Sequence, residues 1–208
     1  MARGEISSSN LIPPRPTLTA LKNAALTCRA CPLWKLGTQT VFGAGRKSAR
    51  IVLIGEQPGN EEDLTGKPFV GPAGKLLDRA LSQAGIDRSQ AYLTNAVKHF
   101  KWERRGRRRI HKRPSTSEIN ACRPWLEAEL RLLKPKVVVC LGATAAQTFF
   151  GNKFKVTHER GKFFETALAP VVMATVHPSS ILRAYDDESR RAQMKMFVKD
   201  LKLAATKL

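Results

Sequence analysis

Four short apolar runs, at positions 51–54, 91–97, 137–141 and 171–176, most narrow what this chain can fold into. They are rich in Val, Ile, Leu and Ala and lack alternation, the pattern of strands buried on both faces. Between them, positions 75–84 and 116–133 space their apolar residues as helices do, and an amphipathic tail follows at 188–205. Strand and helix in alternation predict an α/β fold, a three-layer α/β/α sandwich around a central, mostly parallel, four-stranded sheet. The 208 residues suffice for one substantial core. Residues 17–208 read as a single domain, preceded by a polar, proline-containing segment, 1–16, that is expected to be flexible. That segment has no apolar signal-peptide centre, and no stretch approaches the roughly 20 apolar residues of a membrane span. The expectation is a cytoplasmic protein without a membrane partner, and by default a monomer.

In open α/β sheets, ligands bind beyond the carboxyl ends of the strands. The first run is followed there by Gly55-Glu56-Gln57-Pro58-Gly59, the second by Lys98-His99 and a basic loop, and the fourth by His177-Pro178-Ser179-Ser180. Two nucleotide motifs fail. Gly43-Ala44-Gly45 precedes its strand instead of following it, and Gly71-Pro72-Ala73-Gly74-Lys75 lacks the earlier glycine and the Ser/Thr of a P-loop. No nucleotide cofactor is therefore expected. A net charge of +19 exceeds what solubility requires and implies a polyanionic partner, nucleic acid before anionic lipid. Seven of the ten residues from Arg104 to Arg113 are Lys or Arg. So dense a block repels itself unless a partner neutralises it.

Four cysteines in a reducing compartment point away from disulfides, towards metal binding or core packing. Cys28 and Cys31 form a C-x-x-C pair in a loop where two thiolates can converge on one ion or cluster. A redox dithiol would need a strand before it and a helix after, and the order here is reversed. Cys140 lies inside an apolar run, where cysteine acts as a small hydrophobe. Cys122 stands near a helix start, two residues before Pro124, a proline that should kink the helix. A Cys/His set built on these residues would suit zinc as well as an iron-sulfur cluster by ligand chemistry alone.

The segments GEQPG (55–59), KPFVGPAGKLLD (67–78), TNAVKH (94–99), VVVCLGATA (137–145) and HPSSILR (177–183), with C-x-x-C ahead of them, resemble the iron-sulfur uracil-DNA glycosylases over roughly residues 26–184. The loop RRGRRRIHKRP (104–114) resembles the insertion of the UdgX group, whose loop histidine becomes joined to the abasic sugar. The resemblance implies excision of uracil from DNA, with a flipped base held by Phe69 on its face and Asn95 on its polar edge. It implies His177 as donor to uracil O2, with Ser179 and the helix start behind it gripping the strand. Gly55 would allow close approach to the sugar. Gln57 fits the UdgX pattern in place of an acidic, water-activating residue. Glu56 would orient His111, stabilise the positive sugar or activate water. His111 would attack C1′, its pKa kept low by the surrounding guanidinium groups. Arg107, Arg108, Arg109, Lys112 and Arg113 would bind phosphates.

The same resemblance implies a [4Fe-4S] cluster on Cys28, Cys31, His99 and Cys122, with His99 standing where related members have cysteine. Cys140 is the alternative fourth ligand. Unpaired DNA should be favoured, since its bases cost less to flip. Two other functions stay open: hydrolysis that releases free abasic DNA with His111 only positioning the strand, and a non-catalytic, metal-stabilised DNA-binding module.

Overall fold

The computed structural model describes residues 7–208. Its main sheet is built on the four apolar runs, as β1 (Ile51–Gly55), β2 (Ala91–Asn95), β5 (Val137–Leu141) and β7 (Ala169–Thr175), all parallel. The order is β2-β1-β5-β7-β6, so the sheet has five strands where four were expected. The addition is β6 (Phe163–Thr166), antiparallel to β7 at the edge. It escapes notice because it is short and only half-buried, without the continuous apolar run of a central strand.

Side chains of successive strand residues point to opposite faces, and each face packs a different helical layer. Ile51, Leu53, Val137, Val139 and Met173 meet α3 (Pro72–Gln83), α7 (Pro178–Leu182) and α8 (Asp187–Ala205) through Leu77, Leu81, Ile181, Phe197 and Leu201. Val52, Ile54, Val138, Cys140 and Val172 meet α4 (Thr116–Leu133), α5 (Ala143–Phe150) and α6 (Val156–Glu159). The three layers are those expected. Pro124 lies inside α4, which runs through it, so Cys122 is within a helix instead of near its start. Outside α4, α1 (Leu18–Ala25) closes a third cluster with Cys28, Cys122 and Trp125.

The segment 1–16 is described from residue 7 on. There Ser8–Leu11 forms a 3-10 turn with Ser8 buried. The basic loop is a hairpin, β3 (Trp102–Arg105) paired antiparallel with β4 (Arg108–His111), turning at Gly106 with φ +59°. His158 sits on α6, ahead of the hairpin formed by β6 and β7. Among the described residues no helix is long and apolar enough to cross a membrane.

Candidate active site

The carboxyl ends of β1 and β2 lie side by side, with Gly55 paired to Asn95. An added Cβ on Gly55 would strike the Asn95 amide oxygen and come within 2.7 Å of Phe69 Cζ, so only glycine lets the three close one pocket. Phe69 carries φ +57°, a left-handed backbone rare for a bulky residue and a form of strain that gathers at functional sites. Its conformation is clamped by Glu62 of α2 (Asn60–Thr65), whose carboxylate accepts from Gly59 N (3.0 Å) and Gly71 N (2.8 Å), on both sides of the Phe69 turn. The Phe69 ring stands 6.3 Å from the His177 ring, tilted by 31°.

His177 caps α7. Its Nδ1 accepts from the backbone N–H of Ser179 (3.1 Å) and lies 2.8 Å from the Ser179 hydroxyl. A backbone N–H can only donate, so the ring proton of a neutral His177 must sit on Nε2. Burial, with smaller contributions from His111 and Arg183, depresses its pKa to about 4. Near neutral pH, His177 is thus a neutral Nε2–H donor. Ser179 is engaged with this imidazole.

Glu56, next on from Gly55, accepts from the Thr144 hydroxyl at the start of α5, and its other oxygen is 3.6 Å from His111 Nε2. The Gln57 side chain turns to the hairpin. Its Oε1 accepts from Lys101 N (2.9 Å), while Nε2 reaches Lys101 O (3.1 Å), Lys112 O (3.0 Å) and His111 Nε2 (2.9 Å). Three backbone groups fix which end of the amide is nitrogen, and an amide nitrogen cannot accept. His111 Nε2 therefore presents a lone pair, with the ring proton on Nδ1. Burial lowers the His111 pKa, Glu56 opposes this, and Arg183 adds to it. The effect arises from desolvation and Arg183, not from the hairpin arginines that the sequence suggested.

Five basic residues were expected to meet phosphate, and the structure divides them. Arg109 is committed internally: its guanidinium pairs with buried Asp63 (2.6 Å), donates to Asn60 (2.8 Å) and lies over the rings of Phe100 and Trp102. Lys112 pairs with Glu103, and Arg113 donates to Gln147. Arg107 and Arg108 are exposed in the hairpin and enter no ion pair among the described residues.

Cys28, Cys31 and Cys122 share the cluster between α1 and α4. Their thiols interact electrostatically: burial chiefly raises the pKa values of Cys31 and Cys122, the latter to about 12, and neighbouring cysteines push in the same direction. Cys28 and His99 line one crevice, and Lys98, next to His99, donates its backbone N–H to Cys122 Sγ (3.3 Å). Trp125 Nε1 donates to Cys28 Sγ (3.3 Å). N–H donors aimed at cysteine sulfurs suit a metal-thiolate centre, so the donor chemistry fits an iron-sulfur cluster. The side chains are not drawn in around one point. Among the described residues no three His, Cys, Asp or Glu converge tightly enough to hold an ion, and His99 Nε2 instead meets the Thr40 hydroxyl at 3.0 Å. Cys140 belongs to a different cluster, on β5 against α4 and α5, its pKa raised by burial alone.

A family model described as the uracil DNA glycosylase superfamily matches residues 42–202. The chain belongs to this superfamily. It is 41% identical over 165 residues to a type-4 uracil-DNA glycosylase of Thermotoga maritima, covering 79% of this chain and 82% of that one. A type-4 enzyme of Sulfurisphaera tokodaii is 34% identical over 198 residues, with 91% and 86% covered. One of Archaeoglobus fulgidus is 38% identical over 165 residues, with 76% and 79% covered.

Several residues that build this glycosylase-superfamily site were missed from sequence. Glu62 and Asp63 look like ordinary first-turn acids of a helix, yet both are buried. Thr144 lies inside the Ala143-Thr144-Ala145 run after β5, and Arg183 ends HPSSILR (177–183). Lys98 is 1% exposed. Its ammonium donates to Glu129 (2.5 Å), Thr94 (2.6 Å) and the carbonyl of Asn95 (2.9 Å). Glu129 also accepts from Tyr92 (2.8 Å) and Gly43 N (3.1 Å).

Proposed function

We propose that the chain excises uracil from DNA and that His111 then captures the sugar at C1′. The observation that carries this reading is the unprotonated His111 Nε2, its lone pair turned to the Gln57 amide nitrogen, 3.6 Å from Glu56. The uracil flips into the pocket of Gly55, Phe69 and Asn95. As the C1′–N1 bond breaks, its electron pair leaves with the base. His177 Nε2–H donates to O2 as charge gathers there, which requires no proton transfer beforehand. Glu56, held by Thr144, opposes the growing positive charge on the sugar. The Nε2 lone pair of His111, once turned away from the Gln57 amide, forms the new bond to C1′, and the resulting imidazolium keeps its Nδ1 proton while its positive ring stays close to the Glu56 carboxylate on the Nε2 side. The uracil anion takes its proton from water.

Arg107 and Arg108 suit phosphate contacts, and single-stranded DNA is the substrate that demands least work of flipping. A [4Fe-4S] cluster held by Cys28, Cys31, His99 and Cys122 would brace α1 against α4 and take no part in bond cleavage. The protein is proposed to act as a monomer. Hydrolytic release of abasic DNA is the second reading, supported by the type-4 relatives. The test is to incubate the protein with a uracil-containing oligonucleotide, denature, and run a gel beside His111→Ala. A uracil-dependent shifted protein band, absent in the variant, is expected. Free abasic product from both proteins, with no shifted band, would return His111 to a DNA contact.

A further inference from the structure

Beside the catalytic residues runs a second groove, of about 530 Å³, between the first turns of α4 and the body of α5. It begins at Thr144, the residue hydrogen-bonded to Glu56, and is rimmed by Arg113, two residues beyond His111. Among the described residues none lining it is acidic, and two of them are arginines. Both guanidiniums are held in place. Arg113 donates to Gln147 Oε1 (2.9 Å), whose own amide nitrogen is tied to the carbonyls of Asn152 and Phe154 (3.2 Å each). Arg123 is anchored through Nε to Glu127 (2.8 Å), which leaves its terminal nitrogens for another partner. The nearby carboxylate of Glu118 is spent on Ser115 N and Lys101. Ile119 supplies an apolar patch, while Asn120 and Asn152 present carboxamides able to donate and accept.

The geometry points to a binding site for the nucleotide next to the uracil in the same strand, its phosphate between Arg113 and Arg123 and its base against Ile119 and Asn120. The volume lies in the range of about 300–1,000 Å³ that takes a small molecule. Cations, hydroxyls and carboxamides together match a phosphodiester carrying a base better than either alone. A base seated there is separated from any complement, so the groove selects single-stranded DNA. This inference rests on the proposed uracil excision, because the groove is located by its continuity with Glu56.

The test uses short single-stranded oligonucleotides with one internal uracil, in which the neighbouring base on one side or the other is replaced by an abasic spacer. For the wild-type protein, the spacer on one side only should lower the excision rate at limiting DNA by about tenfold, the loss of one ordinary recognition contact. Asn120→Trp, which fills the groove, should show the same loss on the intact strand and no further loss with the spacer. Arg123→Ala provides a second reading that does not depend on the bulky variant folding. Its binding to a strand carrying the cleavage-resistant 2′-fluoro-deoxyuridine should fall less steeply with salt, by a log–log slope of about 0.7, the value of one single-strand phosphate. Additive spacer and Asn120→Trp effects, or an unchanged salt slope, would overturn the groove while leaving uracil excision intact. If the wild-type protein excises uracil from none of the strands, the glycosylase reading falls and the groove falls with it.

Discussion

Gln57→Glu changes one nitrogen to one oxygen and should undo the arrangement of His111. The Oε1 contact to Lys101 N (2.9 Å) survives, but the second oxygen now faces the carbonyls of Lys101 and Lys112 and the His111 lone pair, all acceptors. Gln57 is buried. Two lost hydrogen bonds at about 1 kcal/mol each, and two carbonyls left facing a charge, amount to about 2–4 kcal/mol. His111 can relieve part of this by taking a proton on Nε2, so its pKa, now held low by burial, should move upward. A protonated Nε2 has no lone pair for C1′.

The assay is the pH dependence of the adduct-forming rate under single-turnover conditions, together with urea unfolding. In the wild type the acid limb should lie below the ordinary histidine pKa of 6.5. In Gln57→Glu it should move to higher pH, with activity regained as pH rises. Gln57→Ala, which loses the bonds without adding charge, should be destabilised with its acid limb little moved. A Gln57→Glu variant as stable as wild type, with an unmoved limb, would refute the assignment of the lone pair to Nε2.

Glu129→Gln strands the buried Lys98 ammonium without its counter-charge. It should cost about 3–5 kcal/mol by chemical denaturation, and adding Lys98→Met should restore much of that. A loss below about 1 kcal/mol would mean that the pair is open to water. For His177 the folded pKa of about 4 lies below the unfolded 6.5. Its contribution is intact above pH 6.5 and is lost as pH falls towards 4, because the unfolded chain binds the proton that the folded chain refuses. The urea midpoint should decline across that window, less steeply in His177→Asn, and equal slopes in the two proteins would contradict its burial as a neutral ring.

The central sheet was legible because its strands are buried on both faces and so appear as unbroken apolar runs, such as Val137–Leu141. The edge strand β6 and the hairpin β3–β4 carry no such signal, since half-exposed strands can use Glu, Arg and Thr freely. For the hairpin, Arg-Gly-Arg at 105–107 was the one readable cue, a glycine where the turn needs positive φ. The pocket residues Gly55, Phe69, Asn95 and His177 were legible as motif pieces, but the left-handed backbone of Phe69 was not, because a large aromatic is the residue least expected there. The supports were also hidden. Glu62, Asp63, Lys98 and Glu129 are charged types that usually face water, and only their mutual placement shows that each is buried with a partner.

Those supports fall into two sets that do different work. Asn95 is fixed by the main sheet and α4: β2 carries it, Lys98 holds its carbonyl, and Glu129 holds Lys98. Lys98 also gives its backbone N–H to Cys122, so Asn95 and the cysteine cluster share one short segment after β2. His111 has no such connection. It comes in on a separate two-stranded ribbon, tied to the domain by Gln57, by Arg109 on Asp63 and by Trp102 on the Leu36 carbonyl (2.7 Å). The pocket of Gly55, Phe69 and Asn95 is thus continuous with the core, whereas His111, proposed to capture the sugar, hangs from a ribbon held by a few side chains. In a site divided this way, the proposed capture by His111 would depend on the ribbon and its anchors, and could change without rebuilding the pocket of Gly55, Phe69 and Asn95.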